Sequence, residues 1–468
     1  MLPLQILEEI ESQAEEMKEL LKKLALIPAP SYREKKRAAF CRKWLAAAGA
    51  EGVYIDDAGN VVYPYGCTVQ RERISGVHEK VKATGLTRSR GDRALSKADN
   101  AGAKAADSDA QADSVNAVSA HDKIITTVIP DDEGADPQDF PLIVFAAHMD
   151  TVFPDMKPMP YKEYRERIYC PGIYDDTVNL VNILLAARFV TQHHLQPKGC
   201  GILFVCNTCE EGMGNLKGTR QLFADYGDRI KEFYTFDLVY NEIVDHAVGS
   251  CRFEVMARTK GGHSYLNFGN DNAIQRMAAF IQDLYTIELP EHALHQDGTD
   301  YCLPGAYYSP GATPLSGKSS FNVGLIEGGT SVNTIAQKCT ALCEYRSDSA
   351  AAMEELDVEF RELFEKHRLK YDVIGIRPGE KLGEAAEQRR REMLDMTAGI
   401  VKETTGIEPT RLSSSTDCNI PLSLGIPAIC IGTCLGHGAH TREEYLVKSS
   451  LLPGRMIATE VVLSYFDL

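Results

Sequence analysis

The feature that most constrains the fold is a set of histidines and carboxylates that follow strand-like apolar runs or lie in glycine-rich loops. His148 and Asp150 follow the apolar run 142–145, and Glu210 and Glu211 follow the run 201–205. In an open α/β sheet the carboxyl ends of parallel strands meet where the ligand usually binds. Histidine and carboxylate donors suit zinc and related divalent metals. The pattern therefore predicts a metal centre that activates water. The complete set of candidates is His148, Asp150, Asp175, Asp176, Glu210, Glu211, Asp237 and His440.

Length and charge limit the class of protein. A chain of 468 residues is too long for one compact core, which predicts two domains. Hydrophobic residues make up 44% of the chain and charged residues 25%, as in ordinary globular proteins. The net charge of -16 argues against nucleic acid as the main partner, because phosphate binding requires clustered Lys and Arg.

The cysteines and the first residues indicate a cytoplasmic protein. Thirteen cysteines are scattered through the chain, often within apolar runs, which favours buried reduced thiols over a disulfide framework. Cys206-x-x-Cys209 is a weak metal or redox motif, since no second pair follows it at zinc-finger spacing. Residues 1–26 are rich in Glu and Lys and do not resemble a signal peptide.

Helix and strand patterns predict a catalytic domain in two parts, residues 1–247 and 378–468. Strand and helix patterns alternate here, which predicts an α/β fold with a mainly parallel sheet flanked by helices. The chain is expected to open with one amphipathic helix, and Ser31-x-x-Glu34 is expected to cap the second. Residues 66–122 change composition, and 96–122 contain almost no large apolar residue, which predicts a disordered insertion.

The middle of the chain, residues 248–377, follows a different pattern. Strand and helix signals occur in the order β-α-β-β-α-β, which is the ferredoxin-like arrangement. Candidate ligands lie on both sides of this block, so we expect an α+β domain inserted into the catalytic domain.

Two arrangements of His148 and Asp150 remain open from sequence alone. Residues two apart in an extended segment point the same way, so both side chains could bind metal. Alternatively, His148 binds metal and Asp150 holds the second ring nitrogen of His148.

The adjacent carboxylates also suggest a metal site. Asp175-Asp176 and Glu210-Glu211 would repel each other and lose hydration if buried, and they lie among apolar and small residues. A dinuclear cation site would neutralise this charge, with one carboxylate bridging, one ligating and one free to act as a base.

These motifs together resemble the co-catalytic zinc peptidases and deacylases, a family that includes carboxypeptidase G, peptidase T, acetylornithine deacetylase and succinyl-diaminopimelate desuccinylase. The resemblance covers nearly the whole chain outside residues 66–122. It rests on Ala147-His148-Met149-Asp150, Asp175-Asp176, Cys209-Glu210-Glu211-Gly212, Gly261-Gly262-His263-Ser264, Ser415-Thr416-Asp417 and the late His440.

The resemblance implies a role for each residue and two zinc ions per chain. Asp175 would bridge the metals, with His148 and Asp237 completing one site. Glu211 and His440 would complete the other. The remaining implied roles are Glu210 as general base and acid, Asp150 as the residue that orients His148, and Glu242 as the alternative to Asp237. Thr177 stands where many relatives carry Lys, so the subfamily stays open.

The same resemblance implies a homodimer formed through the inserted domain, which would act as a lid. His263 would reach the partner's active site and stabilise the oxyanion. Asn333 and Arg346 would hold the substrate's carboxylate or backbone, and Arg is well suited to a bidentate carboxylate contact.

The sequence thus predicts a cytoplasmic zinc metallopeptidase that hydrolyses small peptides, as a dipeptidase, tripeptidase or other exopeptidase. An N-acyl amino acid deacylase would use the same catalytic residues and is the alternative. A catalytically silent binding protein on the same fold is a third reading, and the retained Glu210 and ligand positions argue against it. No nucleic acid or membrane partner is expected.

Overall fold

The computed structural model describes residues 2–70, 123–125, 139–289 and 318–467. The strands of these residues, numbered along the chain, are β1 (Tyr54–Ile55), β2 (Val61–Tyr65), β3 (Thr68–Gln70), β4 (Lys123–Ile125), β5 (Leu142–His148), β6 (Lys162–Glu163), β7 (Arg167–Tyr169), β8 (Gly201–Asn207), β9 (Ile230–Thr235), β10 (Glu242–Ala247), β11 (Gly249–Arg258), β12 (Gly262–His263), β13 (Ser319–Gly328), β14 (Thr334–Ile335), β15 (Lys338–Ser347), β16 (Lys370–Arg377), β17 (Thr410–Ser414), β18 (Ala428–Ile431), β19 (Gly436–His437) and β20 (Tyr445–Val447).

The helices of the described residues are α1 (Leu4–Ser12), α2 (Ala14–Ala25), α3 (Lys35–Ala47), α4 (Val178–Gln192), α5 (Lys217–Tyr226), α6 (Ala273–Leu284), α7 (Ala350–Lys366), α8 (Glu384–Thr405), α9 (Asn419–Ser423) and α10 (Leu451–Leu463). None of them is long and apolar enough to cross a membrane.

The larger sheet has eight strands in the order β1-β2-β8-β5-β9-β18-β10-β17. Its centre, β8-β5-β9-β18, is parallel throughout, whereas β1, β2 and β10 introduce antiparallel pairs. This sheet and its flanking helices confirm the predicted α/β fold. The parallel centre brings the carboxyl ends of four strands to one edge.

The central strands are buried on both faces. In β5, Ile143 and Phe145 pack into one hydrophobic cluster, while Leu142 and Val144 pack into another on the opposite face. This alternation follows from the two-residue period of a strand. Both faces are apolar, as is typical of parallel strands covered by helices on each side.

A separate antiparallel sheet contains β13-β15-β11-β16 in that order and has its own hydrophobic cluster with α6 and α7. The order along the chain is strand, helix, two strands, helix and strand, as predicted. The spatial order 4-1-3-2 that results is the ferredoxin-like arrangement. We call this part, residues 249–377, the lid sheet region.

Two local predictions were wrong. The first helix is broken at Gln13, whose amide oxygen accepts a hydrogen bond from the largely buried Arg188, so tertiary contacts interrupt the apolar periodicity. Ser31 and Glu34 do not form a capping box. Glu34 accepts the backbone N–H groups of Tyr32 and Cys209, whereas Ser31 binds elsewhere, as described below.

The predicted insertion falls largely on residues 71–122, which lie outside the described residues. Its first residues do form structure, because β3 pairs with β4 in an antiparallel ladder. Of the strand predicted for residues 124–129, only 124 and 125 belong to the described part of the chain.

Candidate metal centre

Three of the predicted ligand positions are set by neighbouring parallel strands. His148 is the last residue of β5, Glu211 follows β8, and Asp237 follows β9. The register aligns His148 with Asn207 of β8 and Ala146 with Thr235 of β9, so the three strands end at the same level. The fold therefore brings together side chains that are far apart in sequence.

Asp175 lies at the centre of the cluster, in the turn 173–177 that leads into α4. Its Oδ1 is 3.2 Å from His148 Nε2, and its Oδ2 is 3.3 Å from His440 Nε2. His440 Nε2 is also 3.3 Å from Glu211 Oε2. One carboxylate thus faces a histidine with each of its oxygens, which is the geometry expected of a ligand shared by two metals.

Two groups of donor atoms could each hold a metal. The ligand atoms of His148, Asp175 and Glu211 lie within 4.8 Å of one another, as do those of His148, Asp176 and Asp237. Asp176 joins the second group; it was among the sequence candidates, but the resemblance gave the ligand role to Asp175 and not to Asp176. Within the described residues Glu242 belongs to neither group, so the geometry favours Asp237 over it.

Asp150 has a wider role than orienting one imidazole. His148 Nδ1 lies 3.1 Å from the backbone oxygen of Asp150 and 3.5 Å from its Oδ1. The carboxylate also accepts the backbone N–H groups of Glu210 and Glu211, both at 3.0 Å, and the hydroxyl of Ser31 at 2.7 Å. Asp150 therefore positions both the histidine and the loop that carries the two glutamates.

Glu444 holds the turn that carries Asp175, and the sequence did not single it out. Its buried carboxylate accepts the backbone N–H groups of Gly172 at 2.6 Å, Tyr174 at 2.9 Å and Asp175 at 3.1 Å. It is the second acid of a Glu-Glu pair in a charged loop, a pattern more typical of a solvated surface.

The buried guanidinium of Arg37 lies beside Thr177. Arg37 of α3 donates to the backbone oxygen of Met149 at 2.8 Å, and its guanidinium is 3.5 Å from the Thr177 hydroxyl. The Thr177 hydroxyl itself donates to the backbone oxygen of Gly172. Thr177 is thus part of the hydrogen-bonded turn, with positive charge supplied from another helix.

Burial and crowding shift the pKa values of the cluster strongly. Burial, reinforced by the charge of Asp175, raises the pKa of Glu211 to about 7, and the same causes raise the pKa of Asp237. Burial opposes ionisation of Asp175, but hydrogen bonds from His148 and His440 outweigh it and lower the Asp175 pKa. Hydrogen bonds to Asp175 and Glu211 raise the pKa of His440 to about 10. Such divergent pKa values are characteristic of functional sites.

The donor set fits divalent metal ions. Four carboxylates converge here with His148 and His440, namely Asp175, Asp176, Glu211 and Asp237. Two buried oxygens, Glu211 Oε1 and Asp176 Oδ1, have no hydrogen-bond partner. A buried polar atom without a partner is costly, and a bound cation would satisfy both atoms. Mixed imidazole and carboxylate donors suit zinc.

The three predicted substrate-contacting residues lie in the lid sheet region. β12 and β14 pair His263 with Thr334, and Ser264 donates to the backbone oxygen of Asn333 at 3.0 Å. Arg346 instead forms a two-pronged ion pair with Glu344, at 2.9 and 3.1 Å. Within the described residues, no hydrogen bond or ion pair joins these three side chains to the predicted metal ligands.

Arg377, which sequence reasoning missed, does contact the site. Its guanidinium donates to Glu210 Oε1 at 2.9 Å, and both side chains are almost fully buried. Arg377 ends the last strand of the lid sheet region and is followed by Pro378-Gly379, so its local sequence resembles an ordinary strand end.

Comparison with known proteins agrees with this fold and donor set. Residues 144–464 match Peptidase family M20/M25/M40, and because this is more than half of the chain, the protein belongs to that family. No curated protein sequence matches the chain.

Solved structures share the fold at low sequence identity. Aminopeptidase PepT from Bacillus cereus is 17% identical, with a TM-score of 0.60 over 96% of this chain and 98% of that one. A tripeptidase from Staphylococcus aureus is 15% identical, with a TM-score of 0.62 over 96% and 97%. A dinuclear metal-binding peptidase of the M20 family from Bacillus subtilis is 12% identical, with a TM-score of 0.51 over 97% and 99%.

Proposed function

We propose that this protein is a zinc-dependent peptidase that hydrolyses a peptide bond of a small peptide. The observation that carries the proposal is Asp175 between His148 and His440, with the unpartnered Glu211 Oε1 beside them. Family membership supports a metal-dependent hydrolase, and the similar structures named aminopeptidase and tripeptidase favour peptides as substrates.

The five protein ligands in this proposal are divided between two zinc ions. Asp175 would be shared by both ions, His148 and Asp237 would hold one, and Glu211 and His440 would hold the other. Bound zinc would lower the pKa of water and polarise the scissile carbonyl. Glu444 holds the backbone of the turn that carries Asp175, and Asp150 holds the backbone of the loop that carries Glu211.

Glu210 is the proposed general base. It takes a proton from the attacking water and delivers it to the departing amine. One positioned carboxylate can thus act first as general base and then as general acid. Glu210 adjoins the proposed ligand Glu211, and Asp150 accepts its backbone N–H, which supports this role by holding its backbone beside the proposed ligands.

We place the remaining catalytic group on a partner subunit. His263 is exposed and adjoins a patch of exposed apolar side chains, which we call the lid patch: Tyr265, Leu266, Phe268 and Val332. Tyr265, Phe268 and Val332 are at least 84% exposed, and contiguous apolar surface of this kind marks interaction sites. A two-fold dimer through the lid patch would let His263 stabilise the oxyanion in the partner's site.

Asn333 and Arg346 are the proposed substrate-binding residues. Asn333 precedes Thr334, the residue that pairs with His263, and its backbone oxygen accepts the N–H of Ser264, so both side chains would approach the same substrate. Arg346 would exchange its ion pair with Glu344 for the substrate's carboxylate. Within the described residues, the Asn333 side chain accepts a hydrogen bond from Ser331, and the Arg346 side chain pairs with Glu344.

An N-acyl amino acid deacylase is the alternative within the same chemistry, since an amide bond is cleaved in both reactions. A panel of dipeptides, tripeptides and N-acetyl amino acids, assayed with zinc determination by elemental analysis, tests the proposal. Hydrolysis of peptides with two zinc ions per chain supports it. Hydrolysis of only N-acetyl substrates would assign the deacylase, and zinc-loaded protein inert on every substrate would indicate a binding protein.

A further inference from the structure

Arg377 connects the lid sheet region to the proposed general base. Its Nη1 donates to Glu210 Oε1 at 2.9 Å and to the backbone oxygen and hydroxyl of Ser415, both at 3.2 Å. Its Nη2 donates to the backbone oxygen of Glu210. The Arg377 side chain is 5% exposed, so solvent screens these contacts little.

The two carboxylate oxygens of Glu210 differ in their hydrogen bonding. Oε1 accepts a hydrogen bond from Arg377, whereas no hydrogen bond within the described residues reaches Oε2. A guanidinium that binds both a carboxylate and the backbone of the same residue restricts its side-chain rotation, because the planar fork has fixed geometry. Glu210 therefore has one oxygen fixed and one available.

Two other arginines also form hydrogen bonds between the lid sheet region and the rest of the chain, but these bonds do not involve Glu210. Arg252 of β11 donates to the backbone oxygen of Gly212, and Arg220 of α5 donates to the backbone oxygen of Ile376. The loop 210–212 is thus held from the lid sheet region at both ends. Arg377 alone among these three contacts the carboxylate itself.

We propose that Arg377 is a positioning residue for Glu210. It binds Oε1 so that Oε2 is the oxygen that accepts the proton of water, and it ties that orientation to the placement of the lid sheet region. The proposal rests on the general-base role of Glu210 in the proposed function. Misplacing a catalytic group by about 1 Å can cost ~10²-fold in rate.

The first test compares Arg377→Met, Arg377→Lys and Arg377→Ala with the wild type on the best peptide of the panel. We expect kcat to fall by about 10- to 100-fold for Arg377→Met, with KM within about twofold and two metals per chain retained, because orientation rather than binding is lost. Arg377→Lys should retain more activity, and free guanidinium should restore part of kcat to Arg377→Ala.

Arg220→Met is the matched control, since it removes a buried arginine contact across the same boundary but not the contact to Glu210. We expect a smaller loss of kcat and no rescue by guanidinium. Equal losses in Arg220→Met and Arg377→Met, without guanidinium rescue, would show that Arg377 only docks the lid sheet region and would overturn the proposal. Unchanged kcat in Arg377→Met would overturn it too.

A structural readout separates this proposal from the proposed function. In crystal structures of the wild type and Arg377→Lys, we expect the Glu210 carboxylate to rotate away from Ser415 in the variant while Asp150 still accepts the Glu210 N–H. This comparison holds even if the wild type cleaves no peptide, in which case the proposed function fails by itself. A Glu210 side chain in the same place in both structures would refute the positioning role.

Discussion

The proposed metal ligands and the proposed substrate-contacting residues differ in how completely one chain assembles them. His148, Asp175, Glu211 and Asp237 are buried, and their positions are fixed by parallel strands and by acceptors such as Asp150 and Glu444. His263 and Asn333 are exposed, and within the described residues their hydrogen bonds join only the short neighbouring segments 262–267 and 331–335.

This difference indicates which part of the site a single subunit can supply. The ligand cluster has its donors in place and needs only cations to balance its charge. In the proposed function His263 acts in the site of a second subunit, and the exposed lid patch beside it is the surface proposed to bind that subunit. Metal binding should therefore depend on one chain, whereas turnover should depend on two.

The largest effect is expected at the residue shared by both metals. Asp175→Ala should lose both metal ions and all measurable turnover, because each oxygen of Asp175 faces a different histidine. Elemental analysis of the purified variant tests this. His440→Ala is the comparison variant and should lose mainly one metal. Two metals per chain in both variants would contradict the dinuclear assignment.

Glu210→Gln should lower kcat by about 10²–10⁴-fold and leave both metals bound, since the amide cannot accept a proton and Glu210 is not a proposed ligand. Steady-state kinetics together with metal analysis measures both properties. Near-normal kcat, or loss of metal, would show that the role given to Glu210 is wrong.

His263→Ala should lower kcat more than it changes KM, by up to ~10²–10³-fold, because an oxyanion donor acts mainly in the transition state. Metal content should not change. Mixing this variant with Glu210→Gln should restore activity, since each mixed dimer contains one site with an intact Glu210 and an intact His263. A mixture as inactive as its parents after verified subunit exchange would exclude the role across subunits.

A smaller effect is expected for the pH dependence of the metal-free protein. Burial raises the folded pKa of Glu211 to about 7 and that of Glu444 to about 8, both above the ordinary glutamate pKa of 4.5. Between the unfolded pKa of about 4.5 and the raised folded values, the folded state binds more protons than the unfolded state. The free energy of unfolding therefore decreases as pH rises from about 4.5 to about 8. Thermal melts of the metal-free protein should show this decrease, and Glu444→Gln should reduce it. A melting temperature that rises across this range would contradict raised pKa values for these two buried acids.

The smallest effect is expected from deleting residues 96–122, which are poor in large apolar side chains. Surface insertions of this composition contribute little to folding. The melting temperature and kcat should change little relative to the full chain. A large drop in either would show that the segment packs against the rest of the protein or controls access to the site.

Local sequence singled out the proposed ligands whose positions depend on strand ends. His148 and Glu211 follow apolar runs long enough to identify β5 and β8, and the parallel topology then determines that they meet. The ferredoxin-like order of the lid sheet region followed from the same kind of periodicity.

Residues whose roles depend on distant partners were not predictable in this way. Arg377 is 167 positions from Glu210, and Ser31 is 119 positions from Asp150. Ser31 was expected to cap a helix because its spacing from Glu34 fits that motif, but Asp150 offers a buried carboxylate instead. Glu444 resembles a surface acid until the turn that it supports is known.

Titration of the metal-free protein with Zn²⁺, followed by calorimetry under conditions where the chain is monomeric, tests the central claim most directly. We expect two zinc ions to bind per chain without dimer formation, because each proposed ligand belongs to one chain. Hydrolysis of the best peptide should then appear only at concentrations where the dimer forms. Binding of one zinc ion or none, or metal binding that itself requires the dimer, would contradict the account.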